Sequence, residues 1–383
     1  MRVLALASYP VEAAATRYRV AQFVGPLAER GIEVEVRPFM DARLFRSFYR
    51  GGAGRAALGL VRPTLRRFAD AWRARRADVL LVQREAMIFG PAFFEWLSAK
   101  LGGCPLVLDL DDATYVRYQS PTYGRLGAAL KFFGKTDALI RRAAVVTCGN
   151  PAIADYVASK GGRAVVIPTV VDLEKFRPAP KRDGAPPVLG WVGTHSTYPF
   201  LRSIFPVLSD LARERRFRLK VVGAGAERVE VPGVEVENLE WNLEREPGDF
   251  SSIDVGLYPL TALGNAPGEW LAGKSGFKAV QYMAVGVPFV VTPVGVCAEM
   301  GEEGRTHFAA RTPAEWRAAL AALVSDAGLR RRMGEAGRAY ALGHYAVPEQ
   351  AEKLAAALRE AAGASRRVAP RRRPQVDKRT PID

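Results

Sequence analysis

Alternating apolar strands and amphipathic helices along 383 residues predict an α/β protein built from two Rossmann-like parallel-sheet domains. Three observations carry that prediction. The length exceeds what one small core needs and suits two α/β domains. The chain opens strand, loop, helix, strand, and Val188–Val192 opens a second unit in the same way. Between the two units, Pro180 to Pro187 is a polar, proline-rich hinge, which sets the boundary near residue 180.

Composition narrows the class. A hydrophobic fraction of 49% with 9% aromatic residues is that of a globular protein. Cys104, Cys148 and Cys297 are odd in number and widely spaced, which suggests neither a disulfide framework nor a zinc site and fits a reducing cytosol. No apolar run reaches the ~18 residues of a membrane span, and Met1-Arg2 leads straight into a strand, so neither a span nor a leader is expected. A net charge of +15 asks for an anionic partner: a phosphorylated substrate, an anionic membrane surface or nucleic acid. No nucleic-acid motif is present and the charge is concentrated in one segment and a tail, so nucleic acid is not expected.

The first unit reads as strand Val3–Ala7, helix Arg17–Arg30 and strand Ile32–Val36, without a G-x-G-x-x-G fingerprint. Arg17 and Arg19 at the helix start oppose its dipole, so they either contact an anion or stand exposed. From Asp41 to Arg76, arginines interleave with Phe45, Phe48, Leu58, Leu65, Trp72 and other apolar residues. That pattern fits an interfacial membrane helix, or a helix packed on the sheet with a solvated basic back. Strands follow at Asp78–Val82 and Leu106–Leu110, with a helix between them from Pro91 to Lys100. Asp111 and Asp112 end the second strand, where side chains of a parallel sheet face the ligand crevice. Acceptor positioning or general-base work and plain loop capping are the readings for the pair, and no metal is expected. A helix Leu130–Arg142, strand Ala144–Cys148, turn Gly149-Asn150-Pro151, helix Ala152–Lys160 and strand Ala164–Ile167 complete the domain.

The second domain begins with Val188–Val192 and then Gly193-Thr194-His195-Ser196. Small residues there would let backbone approach a phosphate, and His195 fits either a base or a loop hydrogen-bonding role. Further strands are Leu219–Val222, Val234–Val236 and Asp254–Tyr258, followed by a loop from Pro259 to Trp270 that carries Glu269. The densest signal lies between Gly264 and Gly295. A glycine-rich loop tightens at Gly273-Lys274-Ser275-Gly276, runs into a helix from Phe277 to Ala284, and returns as strand Phe289–Thr292. Ser275 is placed to cap that helix, Lys274 and Lys278 flank its positive end, and together they suit a diphosphate. Gln281, three residues beyond Lys278 on nearly the same face, suits a ribose diol. Three alanine-rich helices, Trp316–Leu323, Leu329–Arg338 and Glu349–Ala362, close the chain, and residues 366–383 read as a basic, disordered tail.

The run K-S-G-F-K-A-V-Q-Y-M-A-V-G-V-P-F-V-V resembles the nucleotide-sugar segment of GT-B glycosyltransferases of the retaining family 4. The linker Ile167 to Pro178 and the turn Gly295 to Glu299 resemble that group as well, as does the Asp-x-Asp-Asp strand end at Asp109 to Asp112 for one of its subgroups. The common form carries two glutamates with seven residues between them, where this chain has Gly273 and Gln281. A neutral amide still binds a diol, and Glu269 is the nearest carboxylate to replace the first glutamate.

The resemblance implies a GT-B fold, its two domains facing each other across a cleft. It implies an acceptor domain at 1–180, a donor domain at 181–347 and a helix at 348–365 crossing back to the first domain. It implies retaining transfer of a hexose from a UDP- or GDP-sugar to a glycan or lipid-linked acceptor, in polysaccharide or glycoconjugate synthesis, with no cofactor. Donor contacts would come from Gly193, Thr194, His195, Glu269, Lys274, Ser275, Gly276, Phe277, Gln281 and Glu299. Lys278 would stabilise the leaving diphosphate, and Asp111 and Asp112 would face the acceptor. Charge and apolar pattern together place such an enzyme in the cytoplasm, peripheral on the inner face of the membrane. A non-catalytic nucleotide- or polyanion-binding module is the alternative.

Overall fold

The computed structural model describes residues 1–49, 59–117, 129–180, 184–225, 228–262 and 268–368, without the side chains of 48–49 and 365–368. Its first sheet holds β1 (Arg2–Ala7), β2 (Glu33–Pro38), β3 (Val79–Gln83), β4 (Leu106–Leu110), β5 (Val145–Cys148) and β6 (Ala164–Val166) in the order β2-β1-β3-β4-β5-β6. The second holds β7 (Val188–Val192), β8 (Arg218–Val222), β9 (Glu235–Leu239), β10 (Val255–Tyr258), β11 (Phe289–Val291) and β12 (His307–Ala309) in the order β12-β11-β10-β7-β8-β9. Every pairing is parallel. Central strands are apolar on both faces, as in β3 with all five residues buried, because helices cover both sides. Each sheet reverses its winding once, between β1 and β3 and between β7 and β10. The crevices at the carboxyl ends of those strands are where such sheets bind ligands.

Several elements depart from the reading of the sequence. The helix expected over Arg17–Arg30 is three pieces: Ala14–Arg19, a 3-10 turn Ala21–Phe23, and Val24–Ala28. Pro26 has no N–H for the Gln22 carbonyl. The Gln22 amide crosses instead to the carbonyls of Tyr18 (2.6 Å) and Val170 (2.9 Å). A short helix, Gly268–Ala272, forms where a loop was expected. The last helix runs Val347–Val368 and so enters the stretch read as tail, since alanine and arginine favour helix until Pro370; residues 369–383 lie outside the described ones.

One apolar core joins the two domains. The linker residues Ile167, Val170, Val171, Leu173 and Phe176 are buried in it beside Tyr18 from the first domain and Phe250 and Phe277 from the second. Arg338 fixes the linker by donating to the carbonyls of Leu173 and Phe176 and, from the same guanidinium, to that of Ala284. The closing helix lies back against the first domain through Arg30–Glu352 (2.8 Å) and Arg163–Glu360 (3.0 Å).

Candidate active site

The loop before the Phe277–Ala284 helix is docked directly on the first domain. Gly273 stands so close to Ala113 that a Cβ there would lie 2.2 Å from the alanine methyl, so no glutamate fits at this position in this arrangement. Asn150 explains the docking. Its Oδ1 caps the helix that follows it, accepting from Ile153 N at 2.9 Å. Its Nδ2 then points across the cleft and donates to the carbonyls of Gly273 (3.1 Å) and Lys274 (3.0 Å).

Ser275 does not cap the Phe277–Ala284 helix. The cap position is Gly276, whose φ of +64° suits glycine and whose absent Cβ leaves room for Val296 and Met300. Lys274 lies over the Trp270 ring at 3.8 Å, with its Nζ 3.7 Å from Asp112 of the first domain. Lys278 Nζ donates to Gln281 Oε1 at 3.0 Å. Burial pushes the Lys278 ammonium down to about 8, with Glu246 pulling it up and Arg17 pressing it down further.

Gln281 is fully buried and its amide is already engaged, since Nε2 donates to Glu246 Oε1 at 3.3 Å. The expected diol contact is therefore not open in this arrangement. Phe277 faces Tyr18 with ring centroids 4.6 Å apart, so it joins the domains and does not line a donor pocket here.

Arg17 and Arg19 part company. Arg19 is buried and bidentate on Asp109 (2.5 and 3.1 Å), and Asp109 also accepts from Thr147 Oγ1 at 2.6 Å. Its anion is internal, which corrects both the ligand-contact and the exposed-surface expectation. Arg17 reaches across to Glu246 at 2.9 Å and stacks over Trp241 at 5.2 Å. Tyr18 Oη donates to the same carboxylate at 2.7 Å, and burial together with Glu246 keeps that phenol protonated.

Asp111 and Asp112 stand at the cleft, as expected for the end of β4, and share Arg84. That guanidinium is bidentate on Asp111 (2.5 and 2.7 Å) and reaches Asp112 at 2.9 Å. Arg84 follows β3 at the winding reversal with φ +61°, a left-handed conformation unusual for arginine. Burial alone would raise the Asp111 carboxyl, but the Arg84 charge and hydrogen bonds hold it below the ordinary carboxylate range. Among the described residues no three His, Cys, Asp or Glu side chains gather as a metal site.

The β7 loop is partly structural. A Cβ on Gly193 would strike the Trp191 ring, and Gly223 packs against the Gly193 carbonyl. Thr194 and Ser196 bond each other at 2.8 Å in the turn that leads into the Tyr198–Arg202 helix. Burial lowers the half-buried His195 below its usual range, leaving a neutral imidazole at pH 7. Glu269 and Glu299 are exposed on opposite sides of the docked loop in sequence, one on the Gly268–Ala272 helix and one ending the Gly295–Ala298 turn.

Glu246, Tyr18, Arg84 and Asn150 escaped sequence reasoning as site residues. Only Asn150 left a signal, the Asn-Pro pair that caps a helix start.

The comparisons bear on the fold. Residues 186–326 match the family described as glycosyl transferases group 1. The whole chain superposes on GT-B glycosyltransferases. Sucrose-phosphate synthase from Thermosynechococcus elongatus aligns with a TM-score of 0.67 at 14% identity, over 95% of this chain and 100% of that one. HepE from Anabaena, solved in complex with UDP-glucose, aligns with a TM-score of 0.65 at 16% identity, over 94% and 99%. A glycosyltransferase from Rickettsia africae aligns with a TM-score of 0.63 at 11% identity, over 94% and 98%. No curated protein matches the chain in sequence. The fold is GT-B.

Proposed function

We propose that the chain is a glycosyltransferase that moves a hexose, with retention, from a UDP- or GDP-sugar to a glycan or lipid-linked acceptor in polysaccharide or glycoconjugate synthesis. The observation that carries this reading is the pair Lys274 and Lys278 at the start of the Phe277–Ala284 helix, with Lys274 meeting Asp112 across the cleft and Lys278 lying beside Gln281 and Glu246. In this arrangement Asp112 and Glu246 are the anions nearest those lysines and Arg17. The donor diphosphate takes their place when it binds. Charge that develops on the leaving diphosphate then meets Lys278 and the positive end of the helix dipole, which is stabilisation without a nucleophile from the protein. A UDP-sugar is favoured over a GDP-sugar because HepE, of the same fold, is solved with UDP-glucose. Asp111, held ionised by Arg84, is a poor base and serves to fix that guanidinium. Asp112 is the less buried of the two and is the residue that positions the acceptor hydroxyl. No metal or other cofactor enters the proposed reaction.

Mass spectrometry of nucleotide released from a panel of UDP- and GDP-sugars tests the proposal, with and without oligosaccharide and lipid-linked acceptors. Release of the diphosphate with one donor, stimulated by acceptor and insensitive to EDTA, is the expected result. Nucleotide binding without transfer or hydrolysis for every donor would favour the non-catalytic module. A strict metal requirement would assign the aspartate pair to coordination.

A further inference from the structure

The Val61–Arg73 helix buries its polar side and exposes its apolar one. Arg67 and Asp70 form a pair inside the domain at 2.9 Å, with relative exposures of 1% and 0%. Val61, Leu65, Phe68 and Trp72, spaced four, three and four residues apart, share the opposite face and lie open to solvent. The neighbouring Phe93–Gly102 helix extends that face. Phe68 meets Phe93 with ring centroids 6.2 Å apart, and Phe93 meets Trp96 at 6.3 Å. These six side chains are between 37% and 63% exposed, on one side of one domain.

Charge is sorted around them. The acids of the two helices, Asp70 and Glu95, are both buried. Arg62, Arg73, Arg75, Arg76 and Lys100 are exposed, with Glu35 3.3 Å from Arg73. Arg75 lies over the Trp72 ring at 4.3 Å and Lys100 over the Trp96 ring at 4.8 Å. A tryptophan with a cation over its face matches the boundary between lipid tails and anionic headgroups. We propose that this two-helix face docks the protein on an anionic bilayer, with Leu65, Phe68, Trp72, Phe93 and Trp96 entering the headgroup layer. A second copy of the chain fits less well, because a two-fold contact would set the cationic rim against itself.

One expectation for this segment changes. Phe45 is turned toward Tyr9, with ring centroids 5.7 Å apart, and takes no part in the face. The Phe48 side chain and Leu58 lie outside what is described. Phe93 and Trp96, from the next helix, join Leu65, Phe68 and Trp72 in the face. The face also reaches the cleft rim. Phe93 begins its helix on the side of the sheet where β3 ends, and the exposed Leu130 lies beside that start, its carbonyl accepting from Gly90 N at 2.9 Å. Docking stands apart from the proposed transfer reaction; only the corollary that a lipid-linked acceptor would be delivered toward Asp112 rests on that reading.

The test is co-sedimentation of the full chain with vesicles of phosphatidylcholine, alone or mixed with phosphatidylglycerol, read without any turnover assay. Binding is expected only with the anionic lipid, weakening as salt rises. The double variant Arg75→Gln/Arg76→Gln should lower partitioning about 30-fold, at the strength of a surface-near arginine. Vesicles brominated in the acyl chains should quench tryptophan fluorescence, and Trp72→Phe/Trp96→Phe should abolish the quenching while binding persists. Equal binding to neutral vesicles overturns the proposal. So does quenching that survives in the tryptophan variant, or attachment without any quenching, which would assign binding to the tail. Absence of vesicle binding, with a dimer in solution that Leu65→Gln dissolves, would give the face to a second copy.

Discussion

Lys278 is a cation pushed into a buried site, held there by Gln281 and the nearby Glu246. A diphosphate is a stronger counter-ion, so Lys278→Ala should weaken nucleotide binding by about 1.5–3 kcal/mol in calorimetry, the size of a charged hydrogen bond. The proton supplies a second readout. With the free lysine at about 8 and a bound diphosphate raising it, the complex takes up a proton above that pH. Nucleotide affinity should then be flat below pH 8 and fall as pH rises through it; Lys278→Met should flatten the profile. At the opposite wall, Asp111→Asn leaves the Arg84 guanidinium with Asp112 as its one charged partner among the described residues and should lower the denaturation midpoint by the equivalent of about 2 kcal/mol. Asp112→Asn should disturb stability less, leave nucleotide binding nearly intact and depress turnover; full transfer activity would remove Asp112 from the mechanism. The sequence carried part of this. The helix dipole marked Arg19 as a charge in want of an anion, but its partner Asp109 is 90 residues away and no local pattern names it. The three-residue spacing put Lys278 and Gln281 on one helix face but suggested a ribose diol for the amide in place of the Lys278 contact, and Glu246 comes from a stretch without a motif.

At the scale of elements, the docked loop depends on one glycine and one asparagine. Gly273→Ala would drive a methyl into Ala113, and Asn150→Ala would release both loop carbonyls. Either variant should free the loop at residues 268–276, seen as faster proteolysis there. Unchanged cleavage in both would show that the docking holds nothing in place. Long buried strands were readable because covered parallel strands are continuous apolar runs. β6 and β11, of three residues each, were read as apolar runs, whereas β12 opens on a polar histidine and was not; helices of five or six residues are too short to display a period. The Ser275 cap failed for a related reason. Gly276 adopts a left-handed backbone that only the Val296 and Met300 side chains, packed from a later turn, make intelligible.

Across the whole molecule, the carboxylate of Glu246 closes the two domains through Arg17 and Tyr18, while Gln281 of its own domain holds the other oxygen. Glu246→Gln keeps the shape and removes the charge, so small-angle scattering should show a larger radius of gyration for the variant. Adding UDP to the native chain should not enlarge it; identical scattering curves for variant and native chain would remove Glu246 as the latch. The apolar core behind the latch has its own consequence. Tyr18 and Phe176 from the first domain and linker pack with Phe250 and Phe277, so neither sheet completes its interior alone. Heating should accordingly give one calorimetric peak with equal van't Hoff and calorimetric enthalpies. On the ribosome the same feature imposes a wait. A nascent chain that has not yet delivered Phe277 holds Tyr18 and the linker side chains bare, and is expected to be captured by trigger-type chaperones or to aggregate until residue 277 emerges.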